Sequence, residues 1–162
     1  MPSCLLCRPE AADRELGRIE VWQDRLWRVT VSLVAPVLGF GYLEPKRHIP
    51  YITDLSGEEA ETLGATLARV TSTLRLATDA DLVYVNVFGE RHAHLHFNLA
   101  PHRPGDGLTG GPGVIHLNAP PIPRATLGAM AKRIRRELAG YDVGPEQMLS
   151  ARTATGARPA PD

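Results

Sequence analysis

The sequence predicts an α+β domain: a curved antiparallel sheet of about five strands with two main helices, both on one side. Three observations predict it. Trp27, Val29, Val31 and Leu33 recur every second residue, the period of a half-buried strand. Short turns join several successive strand-like segments, which favours antiparallel pairing. Two longer segments repeat apolar residues at spacings of three and four, as helices packed on a sheet do.

The elements follow in chain order. Residues 19–23 and 26–34 read as the first strands, with Asp24 and Arg25 as the hairpin turn. Ala35-Pro36 breaks the run, and 37–44 is a third strand carrying Gly39 and Gly41. Glycines inside a strand mark either a ligand or backbone at close range, or a bulge. Pro45 ends that strand and 46–50 is a connecting loop. Ser56-Gly57-Glu58-Glu59 has the form of a capping box, which predicts a helix start. Ala60, Leu63, Leu67, Val70 and Leu74 form its apolar stripe, and Asp79-Ala80-Asp81 closes it. Strands are expected over 82–88 and 92–100, joined by the tight turn Gly89-Glu90-Arg91. Residues 101–122 are an extended Pro/Gly-rich loop with a short strand near Val114-Ile115. A second helix spans 123–139, with Pro123 suited to its first turn and Leu127, Met130, Ile134 and Leu138 as its stripe. Residues 1–140 therefore form one domain, and 141–162 a flexible tail expected to be partly disordered.

Composition narrows the function classes. Eighteen basic side chains balance eighteen acidic ones, so no global field attracts nucleic acid or anionic lipid. Lys132, Arg133, Arg135 and Arg136 read as a solvated helix face. No apolar run approaches the roughly 18 residues that span a bilayer, and no secretory signal is visible at the start, so a soluble cytoplasmic protein is expected. Cys4 and Cys7 form a C-x-x-C pair. It is either half of a metal site or a redox dithiol, although the latter normally opens a helix after a strand.

The run Arg91-His92-Ala93-His94-Leu95-His96-Phe97-Asn98-Leu99-Ala100-Pro101-His102 is the most informative stretch. Read as a strand, it lines one face with His92, His94, His96 and Asn98, imidazoles roughly 7 Å apart, and the other with Ala93, Leu95, Phe97 and Leu99. Three readings compete: solvent-facing histidines, a metal site, or nucleophilic catalysis by one imidazole oriented by its neighbours.

That alternating strand, with a glycine turn before it and a proline after it, resembles the histidine triad (HIT) superfamily of nucleotide hydrolases and transferases. The upstream stretch from Gly41 through Pro45-Lys46-Arg47-His48 to Ser56 resembles the family's strand, Pro-Lys-x-His loop and helix start. The resemblance covers roughly residues 1–103. Pro101, three residues after Asn98, and Gly89, five before His94, set the register at His94, His96 and Asn98, with His92 just outside. The resemblance implies that His96 is the nucleophile, attacking the α-phosphorus of a nucleotide ester, anhydride or phosphoramidate, with His94 and Asn98 as the other catalytic positions. Asn86, Gly89, Glu90, Arg91, His92 and Arg103 become candidate substrate contacts, and Ser32 stands where adenosine-binding members carry an acidic residue for the ribose. It also implies a structural zinc on Cys4, Cys7, His48 and His94, a closed tetrahedral set. A homodimer is the expected assembly. Asn98 is an amide and cannot shuttle a proton, which favours transfer or phosphorolysis over hydrolysis, or a zinc-stabilised nucleotide-binding protein with little turnover. A metal-binding scaffold is the remaining alternative.

Overall fold

A computed structural model describes residues 4–106, 108 and 119–140. The expected strand near Val114-Ile115 and the tail over 141–162 lie outside them. Along the chain run α1 (Pro9–Leu16), β1 (Arg18–Gln23), β2 (Trp27–Ser32), β3 (Gly41–Pro45), a 3-10 turn (Ile52–Asp54), α2 (Gly57–Thr78), β4 (Leu82–Val87), β5 (Phe97–His102) and α3 (Arg124–Gly140). The strands form one five-stranded sheet in the order β1-β2-β3-β5-β4. Every neighbouring pair is antiparallel.

Local chemistry explains the joints. Between β1 and β2 the Asp24 carboxylate accepts the backbone N–H groups of Leu26 and Trp27, at 2.7 and 2.6 Å, an Asx-type turn. The linker before β3 carries Gly39 at φ +77°, where a Cβ would lie 2.5 Å from Thr78 Cγ2, so α2 approaches the chain there. Gly41 lies against the Thr30 carbonyl, 3.1 Å from where its Cβ would be. Both glycines thus serve backbone packing. The strand expected over 37–44 is confined to Gly41–Pro45.

Alternation sorts the two faces of the sheet. Val29, Val31, Leu43, Phe97 and Leu99 point to one side, where Val70 and Leu74 of α2 and Ile134 and Leu138 of α3 complete the main core around Trp27. The predicted stripes hold except at Ala60, which is exposed. Ser56 is the N-cap of α2 but makes no side-chain cap bond. Glu59, cast as its capping partner, instead pairs with Arg47 at 3.0 and 3.1 Å. A guanidinium outbids a backbone N–H for a carboxylate.

The opposite face corrects the expectation that all helices lie on one side. Here α1, which sequence reading passed over, contributes Asp13 to a buried charge network. Arg18 donates to both oxygens of Glu44, at 3.1 and 2.9 Å, and to Asp13 at 3.1 Å. Arg28 donates to Glu44 at 2.9 Å, to Glu20 at 2.6 Å and to Asp13. Two guanidiniums and three carboxylates therefore fasten α1 to the sheet.

Candidate active site and metal centre

The segment rich in histidines departs from the expected strand over 92–100. Pairing begins only at Phe97, and residues 92–96 are irregular. The His94 N–H bonds the His92 carbonyl at 2.8 Å, and the Leu95 N–H bonds the Ile49 carbonyl at 2.6 Å, so this stretch leaves the ladder to pack on the loop after β3. The three imidazoles consequently do not share one strand face. His94 turns inward and is 1 % exposed, while His92 and His96 are partly exposed.

Where His94 turns, the predicted metal ligands converge. One ligand atom each from Cys4, Cys7, His48 and His94 lies within 4.8 Å of all the others. The His94 Nδ1 is 3.5 Å from Cys4 Sγ and 3.4 Å from Cys7 Sγ, and His48 Nδ1 is 3.3 Å from Cys7 Sγ. Zinc bonds of about 2.3 Å to sulfur and about 2.0 Å to nitrogen give a tetrahedron an S···N edge of about 3.5 Å. The spacing fits. Nε2–H of His94 donates to the Pro45 carbonyl at 2.9 Å, which fixes the tautomer and leaves Nδ1 as the ligating lone pair. Burial pushes the His94 imidazole below its ordinary value, towards the neutral form that ligates, against the opposing pull of the Pro45 carbonyl. Burial, followed by the Cys4 sulfur, pushes the Cys7 thiol up to about 11, so a metal must displace protons to bind there. Four protein ligands would close the set around a metal ion, with no position left open.

Two residues on, the His96 ring stays out of that cluster. Its Nδ1–H donates to the His94 carbonyl at 2.7 Å. A neutral imidazole so held carries its lone pair on Nε2. The apolar side chains alternating with it, Leu95 and Phe97, are 2 % and 3 % exposed. Asn98 lies on the sheet face opposite α2 and α3 and pairs with Asn86 on one side and Tyr42 on the other. Its amide donates weakly to the Asn86 carbonyl, at 3.4 Å. An imidazole with a free nitrogen can act as a nucleophile, and an amide can donate to a phosphoryl oxygen.

The other predicted contacts divide. Gly89 lies beneath the exposed Tyr51 ring, 3.1 Å from where its Cβ would be, so a larger residue there would push against the ring. Glu90 and Arg91 are exposed in the turn before His92, and Arg103 is exposed beyond β5. Ser32 is 2 % exposed, and its hydroxyl accepts the N–H groups of Val34 and Ala35 at 3.2 and 3.0 Å. That hydroxyl closes a turn. Sequence reasoning missed Pro45 as the orienting carbonyl, Tyr51, and the whole charge network. Pro9 in a first turn and Gly17 as a left-handed cap were visible signals for α1.

This architecture defines the chain's class: it has the histidine triad fold. Among solved structures with that fold, a zinc-bound histidine triad family protein from Mycobacterium smegmatis is 20 % identical over 86 % of this chain and 96 % of its own, at a TM-score of 0.64. A histidine triad nucleotide-binding protein from Sulfolobus tokodaii is 19 % identical, covering 86 % and 94 %, at 0.65. A histidine triad protein from Bradyrhizobium japonicum is 20 % identical, covering 78 % and 95 %, at 0.67. No protein-family profile and no curated protein matches the chain. Among the described residues, no helix is long and apolar enough to cross a membrane.

Proposed function

We propose that the protein processes nucleotides, cleaving or transferring a nucleotidyl group at the α-phosphorus of an ester, anhydride or phosphoramidate through a covalent intermediate on His96. The observation that carries this reading is the His96 ring, with Nδ1–H bound to the His94 carbonyl and Nε2 left free. The Nε2 lone pair forms a bond to phosphorus while the leaving group departs with its electron pair and takes a proton from solvent. The ring becomes cationic, and the His94 carbonyl stabilises its Nδ1–H. Water or another acceptor then attacks phosphorus, gives up a proton, and returns the neutral ring. Asn98 supplies a donor to a non-bridging oxygen. Cys4, Cys7, His48 and His94 would hold a structural zinc that ties the N-terminal segment beside the nucleophile.

Incubation with adenosine phosphoramidate, followed by peptide mass spectrometry, should find the nucleotidyl group on His96, and His96→Ala should abolish turnover. Retained turnover in that variant overturns the assignment. A second reading, a nucleotide-binding protein with little turnover, is favoured by Asn98, whose amide cannot carry a proton to a leaving group. A homodimer paired along β4 is part of the proposal: Leu82, Val85, Val87 and Phe88 of this edge are 40–53 % exposed.

A further inference from the structure

The nitrogen and sulfur halves of the metal cluster are held by the fold in different ways. His94 is 1 % exposed, and its Nε2–H is fixed on the Pro45 carbonyl at 2.9 Å by contacts that involve neither sulfur. Cys4 and Cys7 belong instead to the short segment before α1. Both are free thiols, Cys7 exposed and Cys4 partly buried. The chain turns there, with the Arg8 N–H on the Leu5 carbonyl at 2.9 Å. Three residues apart at that turn, the two Sγ atoms lie within 4.8 Å of each other. A disulfide needs them about 2 Å apart, so the side chains have less than 3 Å left to close, a flagged estimate of about one rotamer's adjustment.

The rest of the N-terminal segment does not hang on these sulfurs. Among the described residues, their hydrogen bonds to other side chains reach only His48 and His94. Leu6 and Ala12 are buried. Asp13 is bound by Arg18 at 3.1 Å and also by Arg28. The sulfurs can therefore change partners while α1 stays on the sheet.

We infer that Cys4 and Cys7 are an oxidisable pair as well as metal ligands: a hydroperoxide converts them to an intramolecular disulfide, and that disulfide and the metal exclude each other. The inference rests on the proposed metal set and not on the nucleotide chemistry. A coordinated thiol is ionised, and the thiolate is the form that reacts. The exposed Cys7 sulfur attacks one oxygen of hydrogen peroxide, the O–O bond breaks, and hydroxide departs, which leaves a sulfenic acid. The Cys4 thiolate attacks the Cys7 sulfur and expels a second hydroxide. The sulfurs have together given two electrons to the peroxide oxygens, and both hydroxides take protons from solvent to become water. Neither sulfur keeps a negative charge, so His48 and His94 alone remain as ligands. A dithiol reductant reverses the step by exchange and is itself oxidised.

The test treats the zinc-loaded full chain with hydrogen peroxide beside a chromogenic zinc chelator that leaves the untreated protein loaded. Release of about one zinc per chain is expected, with a mass lower by about 2 Da for the two thiol hydrogens. Dithiothreitol should restore both thiols and the metal, and far-UV circular dichroism should persist throughout. In Cys4→Ser no second sulfur is at hand, so Cys7 should proceed to the sulfinic acid, a gain of about 32 Da. Zinc retained with both thiols intact overturns the inference and leaves the metal set standing, as does cross-linking between chains in place of the internal disulfide. A Cys4→Ser chain that peroxide leaves unmodified overturns Cys7 as the attacking sulfur. A reduced wild-type chain that holds no zinc overturns the metal set, and the inference with it.

Discussion

Truncating Glu44 removes the centre of the buried charge network. Its carboxylate accepts three N–H bonds, two from Arg18 and one from Arg28. All three side chains are within 5 % of complete burial. Removing one partner of a buried pair costs about 3–5 kcal/mol, because the other charge is left uncompensated. Glu44→Ala should therefore destabilise by about 4 kcal/mol, a Tm lower by about 10 °C at this size. Glu44→Gln should cost less, about 2 kcal/mol, since the amide keeps the shape and one acceptor. The charge tally is the same in both variants, Arg18 and Arg28 against Asp13 and Glu20, so the difference between them rests on the acceptor and the volume that Gln keeps. Arg28→Met should match or exceed the alanine variant, because it strands three carboxylates around one guanidinium. Urea unfolding monitored by tryptophan fluorescence measures each cost, with an unchanged m-value confirming a stability effect. A cost below about 1 kcal/mol for Glu44→Ala, or a larger one for Gln than for Ala, refutes the reasoning.

Two other predictions concern the metal centre and the loop that carries His48. Elemental analysis should find one zinc per chain; chelation should lower Tm by about 10 °C if free zinc stood near 1,000 times its dissociation constant, and Cys7→Ser should lose the metal. A chelator that removes zinc without moving Tm argues against a structural role. The Arg47 guanidinium holds the Glu59 carboxyl below its ordinary value of 4.5. The stability this pair contributes is present above that value and is lost as pH falls through the lower folded one. The Tm gap between wild type and Glu59→Gln should accordingly be open at pH 7 and closed in strong acid, and a gap that widens in acid contradicts the pairing.

Much of the fold was legible because period reports burial. Val29, Val31, Phe97 and Leu99 alternate and are buried, and Leu127, Ile134 and Leu138 recur at helical spacing and are buried too. The metal set was legible through residue types and a family resemblance. Period placed Leu95 inside correctly but not the histidines or Ala93, because the turn of His94 towards Cys4, Cys7 and His48 and the bond to the Ile49 carbonyl pull that segment out of the ladder. The helix α1 escaped notice because, apart from the small Ala12, what it turns inward is charged. Asp13 is bound by guanidiniums, so its contribution to the interior looks like surface in a sequence. Tertiary ion pairing, invisible along the chain, also took Glu59 from the capping role its position suggested.

Residue 94 belongs to two structures at once: its ring joins the cluster of Cys4, Cys7 and His48, and its carbonyl sets which nitrogen of His96 is basic. Only backbone connects the two. Loosening the ring of His94 should therefore disturb the peptide that aims the neighbouring imidazole. Nitrogen chemical shifts of the residue 96 ring would register metal loss directly, even in a protein whose sheet remained intact.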